Sequence, residues 1–203
     1  MPDTTPPKKR ISLRLIFLSL ILAALVFFLV LLISPLAINP INQVREQARK
    51  AEARTSAWTL TAALKGYYVQ YGGKWPDFTG DGLFLDEKRQ GQLLRVLRGK
   101  DPANNRSMIA FIEAKTAGRD SDSDHPYRSG ISPETSAFFD PWGNPYRIAI
   151  DADDDEQIAN PYSDDGPPIR ARVIVWSLGK DGKQGSPANP HTSKGSDDVT
   201  SWQ

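Results

Sequence analysis

Alternating aspartates in two loop-like stretches are the first residues of this sequence whose types and spacing suggest chemistry. The acids are Asp120, Asp122 and Asp124 in one stretch, and Asp151, Asp153 and Asp155 in the other. EF-hand calcium loops share this alternation, but they carry glycine at position six and glutamate at position twelve. Those positions hold His125 and Ile131 in the first stretch, and Glu156 and Tyr162 in the second. The pattern favours solvated acidic loops, and metal binding by either stretch stays open at this level.

Enzymatic chemistry has little support in the sequence. The chain contains no cysteine, which excludes disulfides and thiolate metal sites. His125 and His191 lie in polar stretches, where a surface histidine is the ordinary interpretation. There is no Ser/His/Asp arrangement with supporting motifs and no glycine-rich phosphate loop. We therefore expect a protein that is not an enzyme, and its formal charge of +1 gives no bias toward nucleic acid.

An uncharged apolar run at residues 15–33 is the most prominent element of the N-terminal region. As a helix it would be about 28 Å long, close to the thickness of a bilayer core. Basic residues precede the run, so the positive-inside rule predicts an inside N-terminus. A signal peptide has the same charges but an apolar core of only about 7–15 residues, and a buried core helix is the other alternative. We expect a retained anchor, with a transmembrane helix at residues 15–38.

The segment at residues 42–71 has the spacing of a helix with two apolar stripes. The first stripe is Ile41, Val44, Ala48, Ala51, Thr55, Trp58 and Ala62. The second stripe is Ala53, Ala57, Leu60, Leu64, Tyr67 and Tyr71. Gly72 and Gly73 predict the end of the helix, because glycine accepts the left-handed conformation of a C-cap. We expect the second stripe to be core and the first stripe to contact a partner helix.

The remainder of the chain predicts a small mixed domain. Residues 90–97 suggest a short helix that buries Leu93, Leu94 and Leu97. Residues 107–114 fit a strand or a helical turn, and residues 115–131 read as a long exposed loop. Residues 146–150 and 170–178 alternate as strands. Turn-forming residues at 139–146 surround a tryptophan that can fix the turn to the core.

Three C-terminal motifs together resemble the major pseudopilin of type II secretion systems. They are Asp140-Pro141-Trp142-Gly143-Asn144-Pro145-Tyr146, Ser177-Leu178-Gly179-Lys180-Asp181-Gly182 and Asp197-Asp198-Val199-Thr200-Ser201-Trp202. Residues 48–76, with Tyr67-Tyr68 and Lys74-Trp75-Pro76, are similar to the helix of that family and its exit. The resemblance covers roughly residues 35–203, with a variable middle region.

The resemblance implies an α+β, pilin-like fold: a long N-terminal helix, half transmembrane and half amphipathic, packed on a small antiparallel β-sheet. It implies a structural role in protein export, with other pseudopilins or secretion-system proteins as partners through the N-terminal helix. It also implies a single-pass protein of the bacterial inner membrane. Residues 1–14 would then be cytoplasmic and residues 41–203 a periplasmic domain. No small-molecule substrate is expected.

The C-terminal loop of this family binds calcium, and the resemblance transfers that site to four residues of this chain. They are Asp181, Asp197 and Asp198, through their carboxylates, and Leu178, through its backbone carbonyl. Calcium takes several hard oxygen ligands from flexible loops, which fits carboxylates at both ends of a loop. The alternative is an acidic loop without an ion, and the spacing between Asp181 and Asp197 is longer than the family usually has.

The N-terminal processing site of the family is absent. If Pro35 is aligned with the proline of the family's helix, Leu13, Arg14 and Leu18 replace the expected glycine, aromatic residue and glutamate. Cleavage by a prepilin peptidase is therefore not expected. The alternative to an assembly subunit is an envelope binding domain that is permanently anchored and reuses the pilin-like fold outside a filament.

Overall fold

A computed structural model describes residues 13–80, 86–119, 126–163, 166–185 and 195–202. Within these ranges, the side chains of residues 13, 15, 16 and 30–40 are outside the description. The chain divides into two compact units, Met1–Gln47 and Ala48–Gln203. The second unit contains the regular structure on which the candidate site is built.

The described elements make an α+β protein with antiparallel strand pairs, which confirms the predicted class. The helices are α1, Leu13–Gln70, and α2, Glu87–Leu97. The strands are β1 Gly118–Arg119, β2 Tyr127–Arg128, β3 Gly130–Ile131, β4 Phe138–Phe139, β5 Arg147–Ile150, β6 Gln157–Ile158, β7 Ile169–Arg170, β8 Val173–Ser177 and β9 Val199–Thr200. The strand pairs are β1–β2, β3–β4 and β6–β7, and one three-stranded sheet has the order β5-β8-β9.

The predicted location, a single-pass protein of the bacterial inner membrane, is wrong for the described residues. Across those ranges no helix combines the length and the apolar character that crossing a bilayer requires.

The part of α1 within the second unit separates its two stripes by burial. The second stripe is core: Ala53, Ala57, Leu60, Leu64 and Tyr67 are buried and Tyr71 packs against them. The first-stripe residues Ala48, Ala51, Thr55, Trp58 and Ala62 are exposed. The helix ends as predicted, because Gly72 and Gly73 have positive φ values of 65° and 81°. The core assignment of the second stripe is therefore confirmed.

Helix α2 confirms the predicted short helix and begins three residues earlier. Asp86 caps it by accepting the Arg89 backbone N–H at 2.8 Å, which satisfies one of the unpaired donors of the first turn. Leu93, Leu94 and Leu97 are fully buried in the main core.

The central strand β8 is buried on both faces of the three-stranded sheet. Val173 and Val175 belong to the core formed with α1 and α2. Ile174 and Trp176 pack on the other face with Tyr162, and Trp202 lies against this second cluster. Trp142 packs with Ala53 of α1 and Val199 of β9, so the predicted turn tryptophan does join the core.

The middle region departs from its predictions. Residues 107–114 form neither a strand nor a helix. Residues 115–131 are not simply an exposed loop, because β1, β2 and β3 lie there and Tyr127 and Ile131 are buried. A strand of two residues is too short to show the alternation of apolar and polar residues that identifies a strand. The loop prediction for residues 115–131 therefore depended only on their polar composition. Asp120, Asp122, Asp124, His125 and His191 lie outside the described residues.

Candidate metal-binding loop and the turn that supports it

A buried aspartate organises the turn that precedes β5. Asp140 is fully buried, and its Oδ1 accepts the backbone N–H groups of Trp142, Gly143 and Asn144 at 2.8–2.9 Å. Its Oδ2 accepts the Ser177 hydroxyl at 2.5 Å. Burial raises the pKa of Asp140 above its usual range, and these hydrogen bonds oppose the rise. The turn is therefore fixed to the end of β8 through one carboxylate.

The same turn holds the loop that follows β8. Asn144 Nδ2 donates to the Gly179 carbonyl at 2.7 Å. Gly179 has φ +67°, and a Cβ there would lie 2.6 Å from the Asp197 carbonyl oxygen. Only glycine combines this backbone conformation with so close an approach. The structure thus brings together the two segments that the motifs predicted to meet.

Asp197 closes this loop through the backbone of the facing segment. Its Oδ2 accepts the Asp181 N–H at 3.1 Å and also the Lys180 N–H. Asp181 itself is exposed, and its Oδ1 accepts the Lys183 N–H at 2.8 Å. Leu178 lies directly after β8 and is buried. Asp181 and Asp197 are therefore neighbours. The carboxylate of Asp181 accepts a hydrogen bond within its own turn, and that of Asp197 accepts hydrogen bonds from the facing segment.

Asp198 is directed inward and carries an unsatisfied oxygen. Its Oδ2 accepts the Gly185 N–H at 2.7 Å. Its Oδ1 is buried and has no hydrogen-bond partner among the described residues. The Tyr162 hydroxyl lies beside this carboxylate, also without a bond of good geometry there. Burial, the largest cause, raises the pKa of Asp198. Three acids in this segment have the chemistry of a cation site of hard oxygens. The Asp198 oxygen has a donor, the Tyr162 hydroxyl, beside it and so does not by itself indicate an ion.

The described residues bring three carboxylates into one compact group at a different place. Ligand oxygens of Asp151, Asp153 and Asp155 lie within 4.8 Å of one another. Asp181, Asp197 and Asp198 do not form such a group in the described ranges. The predicted calcium set is therefore adjacent in the fold but is not gathered around one point.

The Asp151 group is built as a backbone turn. Asp151 is buried, and its carboxylate accepts the N–H groups of Asp154, Asp155 and Glu156 at 2.8–3.2 Å. Asp153 and Asp155 are exposed. Burial raises the pKa of Asp151. The solvated-loop interpretation thus missed one buried acid, although Asp151 directly follows a predicted strand, where a turn-capping role could have been expected.

The sequence also did not single out Asp140 as a buried hub. The available signal was an aspartate followed by proline, glycine and asparagine, which is typical of an Asx-type turn. No protein-family model, curated protein or solved structure matches this chain. The pseudopilin resemblance therefore depends on the motifs themselves.

Proposed function

We propose that this chain is a structural, pseudopilin-like subunit of a type II secretion or type IV pilus-like assembly. In this proposal subunits contact one another through the first stripe of α1. The observation that carries it is the exposure of that stripe beside a second stripe that is completely used by the core. An amphipathic helix that keeps one apolar stripe uncovered offers a surface for another helix.

The composition of the exposed stripe suits close helix packing. Trp58 is 54% exposed, and its stripe neighbours in the second unit are the small residues Ala48, Ala51, Thr55 and Ala62. Small residues let helix axes approach to about 8–10 Å. Covering about 100 Å² of the indole would contribute about 2.5 kcal/mol. Trp58 would therefore be the anchor of the contact.

The remaining features support the finer proposal of a pilin-like arrangement. The second stripe of α1 packs in one core with β5 and β8, and the C-terminal residues add β9 to the same sheet. The sheet thus has α1 on one face, and residues 178–185 and 195–198 lie at one end of it. In the proposed role, calcium stabilises that loop through Asp181, Asp197 and Asp198 and the Leu178 carbonyl.

Replacing Trp58 with lysine should reduce self-association of the full-length chain at least tenfold, because a charge would be buried in the contact. Analytical ultracentrifugation measures this. Thr59→Lys is the matched control, since Thr59 is also exposed on α1 but lies about 100° around the helix from Trp58. The proposal fails if both variants associate as the unchanged chain does. Copurification of a secretion ATPase or platform protein would connect the contact to an export machine.

Calcium should raise the melting temperature of the protein, because an ion bound only to the folded state stabilises it. At a hundredfold excess over Kd the gain is about 2.7 kcal/mol, or about 5–10 °C for a domain of this size. Asp181→Ala should abolish the shift and Asp153→Ala should leave it intact. A shift lost only in Asp153→Ala would move the ion to the Asp151 group, and no shift at all would remove it from the proposal.

The calcium effect should shrink as the pH falls and Asp198 becomes protonated, which begins at a higher pH than for an ordinary carboxyl because its pKa is raised. The pKa of Asp198 is higher in the folded protein than in the unfolded chain. Without calcium, the folded protein therefore loses stability as the pH rises from the unfolded-state pKa of Asp198 through its folded-state pKa. Calcium favours the ionised carboxylate and compensates for that loss at neutral pH. A titration of melting temperature against pH, with and without chelator, measures the difference.

A further inference from the structure

A groove of about 430 Å³ lies beside the C-terminal end of α1, within the second unit. Its lining residues come from α1, the exit segment after it, and the strand pair β6–β7 with its flanks: Lys65, Tyr68, Val69, Trp75, Glu156, Arg170, Ala171 and Arg172. The volume falls within the range of about 300–1,000 Å³ that is typical of small-molecule sites. None of these residues belongs to the loop of the calcium proposal.

Two fixed aromatic rings form one wall of the groove. The ring centroids of Tyr68 and Trp75 are 4.8 Å apart. Trp75 Nε1 donates to the Asp151 carbonyl at 2.6 Å, and the Tyr68 hydroxyl donates to Asp154 at 2.5 Å. Both rings are therefore held by their polar ends, which leaves a preorganised apolar surface.

Two acids at the groove share one arginine. Arg172 donates to Glu156 Oε1 at 2.7 Å, to the Tyr68 hydroxyl at 2.8 Å and to Asp154. Its guanidinium carbon also lies 4.9 Å from the centroid of the Tyr68 ring. Glu156 and Asp154 thus share one cation, which leaves one negative charge beside the groove, and Arg172 is held in place as part of the wall.

Two further cations at the groove have no such compensation. Lys65 and Arg170 are exposed and make no ion pair with an acid among the described residues. Val69 of α1 also lines the groove, and it is 78% exposed. The groove therefore combines an apolar aromatic wall with two positive charges that are available to a ligand.

We propose that this groove binds a small molecule that joins a flat aromatic body to a carboxylate. The aromatic body would pack on Trp75 and Val69. The carboxylate would accept hydrogen bonds from Lys65 and Arg170, which are charge-assisted and hence stronger than neutral ones. The groove lies at the C-terminal end of α1, beyond Ala62, the last residue of the first stripe.

The test uses 2-naphthoate as the probe with the full-length chain. Isothermal titration calorimetry should give saturable binding, and the Trp75 indole N–H signal should shift in an NMR titration. The neutral analogue 2-naphthamide should bind about tenfold more weakly, because it cannot form the two charge-assisted hydrogen bonds to Lys65 and Arg170. Equal binding of the two probes would contradict the assignment of the cations.

Charge variants locate the site. Lys65→Gln combined with Arg170→Gln should weaken 2-naphthoate binding at least tenfold, and Val69→Glu should do the same by placing an acid at the groove. Arg54→Gln combined with Lys50→Gln is the matched control, because both residues are exposed cations of α1 away from the groove. All these positions are exposed, so melting temperatures should stay unchanged. No saturable binding at millimolar probe, or unchanged binding in the Lys65 and Arg170 variant, overturns the proposal.

Discussion

Gln90→Leu is expected to lower the free energy of unfolding by about 2–5 kcal/mol, although leucine is apolar and similar in size. Gln90 is buried and connects α2 to two strands. Its Oε1 accepts the Phe138 N–H at 3.0 Å, and its Nε2 donates to the Tyr146 carbonyl. Leucine would leave both backbone groups unpaired inside the core, at a cost of about 1–3 kcal/mol each.

Urea denaturation of the full-length chain measures this loss through the midpoint at constant slope. Gln92→Leu is the control, because Gln92 is an exposed glutamine of the same helix. Its effect should stay within about 0.5 kcal/mol. Equal effects of the two substitutions would show that helix propensity, and not the buried connection, governs this position.

Gly91→Ala should destabilise the protein by about 2–4 kcal/mol, against the helix preference for alanine. Gly91 is buried in α2, and a Cβ there would overlap the Thr135 carbonyl oxygen. A backbone oxygen cannot move away as a flexible side chain can. The helix would have to shift from β4, and the hydrogen bond from Phe138 to Gln90 would be strained with it.

Gly66→Ala should have the opposite sign. Gly66 is an exposed glycine of α1, where a Cβ would meet only Phe111 at 3.4 Å. Alanine is favoured there by about 0.5–1 kcal/mol. Thermal melting of the two variants beside the unchanged chain gives both signs in one experiment. Stabilisation by Gly91→Ala would mean that α2 and the 132–137 segment do not pack as closely as described.

Periodicity predicted the elements that repeat over several turns or residues. The second stripe of α1, the buried leucines of α2 and the strand β5 lie where that pattern placed them. The predicted strand at residues 170–178 is confirmed only in part, because β8 is Val173–Ser177 and Arg170 belongs to β7. Each of these positions is set by which face meets the core, and that information is local in the sequence.

The features that the sequence did not predict depend on long-range partners. Gln90 resembles any polar residue of a helix until the backbone groups of Phe138 and Tyr146 are placed beside it. The aromatic groove joins residues 65–75 to residues 156–172, so no short motif contains it. The membrane location depended on the apolar run, the basic residues before it and the family resemblance, and the described helices do not support it.

The calcium site is an intermediate case. The motifs predicted that residues 178–182 and 197–198 meet, and the contact of Gly179 with Asp197 bears out that proximity. Their carboxylates are not gathered around one point in the described residues, so calcium binding stays a prediction. Short sequence motifs can predict a turn, because the turn depends on neighbouring residues. The positions of the metal ligands depend instead on how two segments that are distant in the sequence pack together.

The two-sided burial of β8 fixes how its neighbours can align. Val175 faces one core and Trp176 the other, so a shift of one residue would exchange an indole with an isopropyl group in both. Neither space could accept the exchange, because close-packed interiors tolerate such volume changes poorly. Shifted pairings of β8 with β5 and β9 are therefore disfavoured, because the side chains would no longer fit the two cores. The side-chain sizes along β8 thus set the register of the whole sheet.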